Sequence, residues 1–340
     1  MKVGIVGLPN AGKSTLFNAL ARGGAEAAEY PFTTVEPNVA VVAVPDRRLE
    51  RLGETLGIER LIPEHIEIVD IAGLVRDAHK GEGLGNRFLG HIRDVDAVLH
   101  LVRLFDDPQV AHPHGEVDPA QDLAAIETEL LLADLESAER RLEAATKSAR
   151  SGDRAAGAER DSWERTVAEL SAGRPAPPDA ELLTSKPTLI VANVAEGSGL
   201  PPALAERGAI AVCARDEAEL AELDPGEADA MRAELGLERG ALETLVQETY
   251  RLLGLVTFFT AVGDKEVRAR SLPSGSTAYD AAGSVHTDMQ RGFVRAEVIG
   301  WEDLVSAGSF AAARDAGRLR TEGRDYVVAD GDVITIKFTP

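Results

Sequence analysis

The chain is 340 residues long, carries a formal net charge of −21 and is 44% hydrophobic. At ~100–200 residues per domain, that length predicts two or three domains, and the apolar share excludes a disordered chain. The acidity excludes generic coating of DNA or RNA, because a bare phosphate backbone is repelled.

Cys213 is the single cysteine, so no internal disulfide is expected, which fits a reducing, cytoplasmic setting. Met1–Val6 leads straight into the first motif, without the separate charged and apolar regions of a secretory signal. No apolar run approaches the ~20 residues that a membrane helix needs, so no membrane span is expected.

Val3–Val6 reads as a buried strand. It runs into Gly7-Leu-Pro-Asn-Ala-Gly12-Lys13-Ser14, the G-x-x-x-x-G-K-S spacing of a phosphate-binding loop, which opens a helix over Thr15–Leu20. Gly7 and Gly12 let the backbone wrap a phosphate with its N–H groups pointing inward, and the helix N-terminus adds its dipole. Lys13 is placed to reach the β- and γ-phosphates, and the Ser14 hydroxyl to ligate Mg²⁺. Tyr30–Pro37 follows with Thr33 and Thr34. One of these threonines completes the Mg²⁺ shell, or the segment is simply a polar loop.

Val39–Val44 reads as a strand, with Pro45-Asp46 as a turn. Ile66–Val69 is another, and it ends at Asp70-Ile-Ala-Gly73. An aspartate there can hold Mg²⁺ through water, and the Gly73 N–H can sense the γ-phosphate. Leu74 stands where many GTPases carry a water-orienting glutamine. A leucine makes no hydrogen bond to water, so catalysis comes from elsewhere or is slow. Ala97–Val102 is the next strand, and the loop Asp106–Val117 after it carries His112 and His114. The other histidines, His65, His91 and His100 among them, have structural explanations, and no Cys/His metal site is evident.

Asp122–Ala145 reads as one long helix, with an apolar seam at Leu131, Leu135, Ala138, Leu142 and Ala145. Ser148–Arg160 is expected to be a hairpin tip. Trp163, Val167 and Leu170 mark a returning helix that Pro175-Ala-Pro-Pro178 ends. This predicts an antiparallel helical arm inserted into an α/β domain; the alternative is two separate surface helices.

Leu189–Val194 and Ile210–Val212 complete the strands of that domain. Asn193-Val-Ala-Glu196 lies where GTPases carry N-K-x-D, whose Asp accepts two hydrogen bonds from guanine. Here Glu196 is one methylene longer and Val194 replaces the lysine, so the guanine grip is altered. Cys213-Ala-Arg215 falls where a second base-contacting element is expected. From Val256 the texture changes to a small α+β domain with strands at Val256–Val262, Val267–Ser271, Phe293–Ile299 and Val333–Phe338. Its ten Lys+Arg against twelve Asp+Glu leave it nearly neutral.

Taken in order, these segments resemble the Obg-like ATPase family, within the TRAFAC class of P-loop proteins. The matching stretches are Gly7–Leu20, Tyr30–Asn38, Asp70–Val75, Lys80–Asn86, Val117–Pro119, Asn193–Glu196, His286–Asp288, Gly292–Val298 and Asp325–Asp332. The resemblance implies an OBG-type G domain over 1–118 and 180–255, a coiled-coil arm over 119–179 and a ubiquitin-like β-grasp (TGS) domain over 256–340. It further implies hydrolysis of ATP to ADP and phosphate in preference to GTP, and binding to ribosomes, on the large subunit; the alternatives are a GTP-preferring translation-associated GTPase and a nucleotide-gated binding module with negligible turnover, and neither DNA nor membrane is expected as a partner. Carried over residue by residue, Asn10, Ala11, Gly12, Lys13, Ser14 and Thr15 cradle the phosphates, and Ser14 and Thr34 hold Mg²⁺ with Asp70 nearby. Asn193, Val194, Glu196, Cys213 and Ala214 face the base. His112 aligns with a histidine of the family and is a catalytic candidate with Lys13, Gly73 and Leu74. The Asn10 side-chain oxygen could hold K⁺ against the phosphates, although asparagine also occurs in such loops with no K⁺ role. Two departures stand out: Arg76-Asp77-Ala-His79 where small residues are usual, and a shorter arm rich in Ala and Arg.

Overall fold

Apolar runs alternate with amphipathic helices through the first half of the chain, and the computed structural model shows what they build. It describes residues 1–23, 38–71, 84–113, 115–150, 153–234, 240–262 and 265–339. From the N-terminus come β1 (Lys2–Val6), α1 (Lys13–Gly23), β2 (Val39–Ala43), α2 (Arg47–Leu56), β3 (Leu61–Ile62) and β4 (His65–Asp70). There follow α3 (Leu84–Arg93), β5 (Ala97–Arg103), α4 (Pro119–Ala149), α5 (Arg154–Ser171), β6 (Thr188–Asn193), α6 (Pro202–Glu206) and β7 (Ile210–Val212). Next are α7 (Ala214–Leu220), α8 (Pro225–Glu234), α9 (Ala241–Leu252), β8 (Leu255–Val262), β9 (Glu266–Pro273), α10 (Ala278–Val285) and α11 (Thr287–Arg291). The chain ends with β10 (Phe293–Gly300), α12 (Trp301–Ala307), α13 (Phe310–Asp315), β11 (Arg320–Glu322) and β12 (Asp332–Phe338).

The described elements form two compact units. The first is built on a six-stranded sheet of order β2-β4-β1-β5-β6-β7. β4, β1, β5, β6 and β7 run parallel, with Ile5 opposite Asp70, Val6 opposite His100 and Arg103 opposite Asn193. Parallel strands are covered on both faces and so read as continuous apolar runs; every residue of β5 is buried. On one face Val6, Ile71 and Val98 pack with Phe88, Leu89 and Ile92 of α3, and with Ala133 of α4. Because the strands are parallel, Asp70, Arg103, Asn193 and the phosphate-loop entrance at Val6 all finish at one edge of the sheet, where ligands of open α/β sheets bind.

α4 has 31 residues, about 46 Å at 1.5 Å per residue. It starts at Pro119, three residues before the expected start, because the Asp118 carboxylate caps it, accepting from the backbone N–H groups of Ala120 and Gln121. Leu123 packs into the sheet with Val102, Ile190 and Ala192. Farther along, Ala138 meets Leu170, Ala176 and Leu182, with Leu131, Leu135, Trp163 and Val167 against them. α4 and α5 thus pack on one another as a helical arm. The turn is tighter than the sequence suggests. α5 begins at Arg154, inside the segment expected to be the tip, because Asp153 caps it and accepts from Ala155 N at 3.0 Å. Asp134 anchors the returning chain to α4: its carboxylate accepts from Leu183 N at 3.0 Å, Thr184 N at 2.7 Å and Thr184 Oγ1 at 2.7 Å.

The second unit is a β-grasp with a mixed six-stranded sheet of order β11-β10-β12-β8-β9-β3. β8 pairs antiparallel with β9 and parallel with β12, while β10 pairs antiparallel with β12. Neighbouring Phe258 and Phe259 point to opposite faces. Phe258 packs with Ala278, Ala281 and Ile334, and Phe259 with Val267, Ile299 and Val333. Residues 42–66 pack with this unit rather than with the segments flanking them in sequence. There Leu49 and Leu52 of α2 enter the Phe259 core. Asp46, expected in a turn, is the α2 N-cap and accepts from Arg48 N at 2.9 Å.

Candidate nucleotide-binding site

The loop between β1 and α1 has the backbone that its glycines allow. Gly12 adopts φ +93°, and a β-carbon there would lie 2.2 Å from Asn193 Nδ2. A β-carbon on Gly7 would lie 2.5 Å from the Leu101 carbonyl oxygen of β5. Asn10 also lies in the left-handed region, at φ 65°, a conformation that asparagine tolerates better than most residues. Its amide donates to Ala111 O at 2.9 Å, which ties the loop to the segment after β5.

Lys13 is folded over this loop. Its ammonium donates to Gly7 O at 3.0 Å and Leu8 O at 2.9 Å. Burial pushes its pKa below the usual lysine value, and the nearby Asp70 charge opposes that shift. Ser14 Oγ donates to Asp70 Oδ2 at 3.0 Å. A hydroxyl and a carboxylate this close form a hard oxygen donor pair, which fits Mg²⁺ and not a thiophilic metal. Among the described residues no cluster of three or more His, Cys, Asp or Glu side chains is placed to hold a metal. Thr33, Thr34, Gly73 and Leu74 lie outside the described residues, as do Arg76, Asp77 and His79.

Asn193 holds two parts of the site together. Its Nδ2 donates to Ala11 O at 2.9 Å, and its Oδ1 accepts from Ala214 N at 3.1 Å. One buried amide thereby fixes the phosphate loop to the start of α7. Around these groups lies a cavity of about 800 Å³, lined by Asn10, Gly12–Thr15, Phe105–Pro108, Val110, Asn193–Glu196 and Cys213–Asp216. Ala218, Glu219 and Glu222 close it on the α7 side. Glu196 is exposed at its rim, whereas the Val194 side chain also packs into the core beside Val102 and Leu204. Burial raises the Cys213 thiol pKa, so it is no poised nucleophile.

The structure brings Asn10, Gly12, Lys13, Ser14, Thr15, Asn193, Val194, Glu196, Cys213 and Ala214 to one cavity; Ala11 lies in the same loop, its carbonyl bonded to Asn193. His112 is not among the lining residues. Its Nε2 lies 2.9 Å from Asp122 Oδ2 near the start of α4, and both side chains are 4% exposed. Sequence reasoning named the loop after β5 only for its histidines and missed that Phe105–Val110 line the cavity, and it missed the pair Arg215–Asp107, 3.5 Å apart, that joins two walls of it. One signal could have found this loop: a strand otherwise wholly apolar but for His100 ends in Arg103.

A parallel sheet carrying a Gly-x-x-x-x-Gly-Lys-Ser loop on its first strand, with an acidic residue at the end of the adjacent strand, defines a P-loop nucleoside triphosphate hydrolase. Comparison with known proteins narrows this. Residues 2–139 match the family profile described as 50S ribosome-binding GTPase, and residues 255–339 match YchF-GTPase_C, a profile described as a protein of unknown function. The chain is 44% identical over 363 residues to the ribosome-binding ATPase YchF of Bacillus subtilis (strain 168), with 99% of each chain covered. To the ribosome-binding ATPase YchF of Escherichia coli O157:H7 it is 47% identical over 359 residues, again with 99% of each covered. The solved structure of the Schizosaccharomyces pombe YchF GTPase superposes with a TM-score of 0.88 at 33% identity, covering 99% of this chain and 97% of that one. The chain belongs to the YchF family.

Proposed function

We propose that this chain is a Mg²⁺-dependent hydrolase that converts ATP to ADP and phosphate in preference to GTP, and that it serves as a cytoplasmic nucleotide switch docking on the large ribosomal subunit. The observation that carries the reading is the placement of Lys13, Ser14 and Asp70 beside a cavity whose base side offers Asn193, Val194 and Glu196 instead of an N-K-x-D set. The names of relatives support ribosome docking, and they divide on the base: ATPase in the two bacteria, GTPase in the yeast. Among the described residues no helix is long and apolar enough to cross a membrane.

In this reading Lys13 exchanges its two carbonyl partners for β- and γ-phosphate oxygens, and the buried ammonium becomes a stronger electrostatic partner than a hydrated one. Mg²⁺, when bound, neutralises charge that develops on the phosphates. Ser14 and Thr34 would supply oxygen ligands to it, with Asp70 acting through water, and the Gly73 N–H would sense the γ-phosphate. The Asn10 side-chain oxygen would be the donor for K⁺, its amide being bonded to Ala111. Leu74 cannot orient the attacking water, so that task falls to His112, which must leave Asp122 to reach it. The segments 1–118 and 180–255, less residues 42–66 that pack with the second unit, do the nucleotide work, with the arm 119–179 and the TGS domain 256–340 serving partner contact.

The test of the base preference is competition calorimetry of MgATP against MgGTP, on the wild type and on Glu196→Asp with Val194→Lys. ATP is expected to bind at least as well as GTP, and the double variant to gain GTP affinity. A tenfold preference for GTP in the wild type, about 1.4 kcal/mol, overturns the reading.

A further inference from the structure

Arg103 is a buried cation that none of the hydrolytic steps uses. It is the last residue of β5 and only 2% exposed. Its Nε donates to Phe105 O at 3.0 Å, its Nη1 to Val110 O at 3.0 Å, and its Nη2 reaches Asp107 O at 3.4 Å. The guanidinium carbon also lies 4.5 Å from the centroid of the Phe105 ring. The segment after β5 is therefore curled around one planar fork, whose rigid donor geometry a lysine lacks. The Asp107 carboxylate is otherwise engaged: Oδ1 accepts from Gln109 N at 2.9 Å, and Oδ2 lies 3.5 Å from Arg215.

A buried cation is a poor way to gain stability, since an apolar side chain of equal volume usually does as well or better. What it supplies here is shape. The carbonyls that Arg103 gathers belong to the stretch from Phe105 to Val110 that lines the cavity together with Cys213–Asp216. Arg103 also stands directly beside Asn193 in the β5–β6 register. Asn193 joins the phosphate loop to α7, and Arg103 shapes the remaining wall. In the reading above, phosphate contacts fall to the loop before α1, whereas Asp107 of the Arg103-held wall lies 3.5 Å from Arg215, next to Cys213 and Ala214 of the base-side segment.

Resting on the nucleotide reading above, we infer that Arg103 is a positioning residue for base discrimination: it holds Phe105–Pro108 against the base and leaves the grip on the phosphates to Lys13. The test is equilibrium binding of MgATP and MgUTP to wild type, Arg103→Lys and Arg103→Met, below their melting temperatures. Both variants are expected to bind ATP at least tenfold more weakly, with UTP affinity changed less than threefold, so that the ATP:UTP ratio collapses. A wild type that binds ATP and UTP alike overturns the inference, as do folded variants that keep the wild-type ratio or lose both nucleotides equally. Hydrogen exchange on the unmodified protein needs no variant to fold. ATP is expected to protect amides of residues 104–111 more than inorganic tripolyphosphate does, and equal protection overturns the assignment. Lys13→Ala separates the two readings: it is expected to lose ATP and UTP together, and wild-type ATP affinity in that variant defeats the nucleotide reading itself.

Discussion

Lys13 and His100 are both buried, and burial does different things to them. Lys13 is held by two backbone carbonyls beside the Asp70 charge, and in the proposed function it is the cation that meets the triphosphate. Lys13→Ala is expected to lower ATP affinity by at least 100-fold, roughly 2.7 kcal/mol, read by calorimetry with the fold checked by circular dichroism. His100 lies within β5 with its Nε2 buried and unpartnered among the described residues. Burial, helped by Arg207, pushes its pKa down to about 3. The unfolded chain binds a proton near pH 6.5 that the folded chain refuses, so this residue destabilises the fold increasingly as pH falls from about 6.5 towards 3. At pH 5 the loss is ~2 kcal/mol. His100→Leu is expected to flatten the fall in melting temperature between pH 7 and pH 5, and an unchanged pH profile refutes the assignment.

At the scale of elements, the arm depends on its root. Asp134 accepts three hydrogen bonds from Leu183 and Thr184, and Asp134→Ala leaves two backbone N–H groups there without that acceptor. A loss of about 3 kcal/mol is expected in urea unfolding. The element scale also shows what was legible beforehand. The phosphate loop could be read because its chemistry is local: two glycines, a lysine and a serine at fixed spacing between a strand and a helix. Asp70 and Asn193 could be read from their places at strand ends, and the arm from its apolar seam. Arg103 at the end of an apolar strand could flag the wall from Phe105 to Val110 but not its shape, which depends on the carbonyls Arg103 gathers and on Asn10, 101 residues away from Ala111. α2 was not foreseen either. Leu49 and Leu52 sit among charged residues, and their partners Phe259 and Ile299 are more than 200 positions later in the chain.

For the whole molecule, that packing changes what a truncation would mean. Deleting 256–340 would expose Leu49, Leu52 and Ile58 of the shared core, so residues 1–255 alone are expected to melt at a lower temperature than the full chain. Ribosome binding is therefore better measured on the full-length protein. Charge bears on the docking as well. Of the net −21, only −2 falls in residues 256–340, leaving −19 for the remainder. The C-terminal domain is thus the part that ribosomal RNA repels least. The most direct test of the account is steady-state hydrolysis of ATP and of GTP by the full-length protein, with and without ribosomes, alongside Lys13→Ala. The account predicts a higher kcat/KM for ATP than for GTP, faster turnover with ribosomes, and loss of both activities in the variant; a GTP preference, or a Lys13→Ala protein that hydrolyses ATP at the wild-type rate, would contradict it.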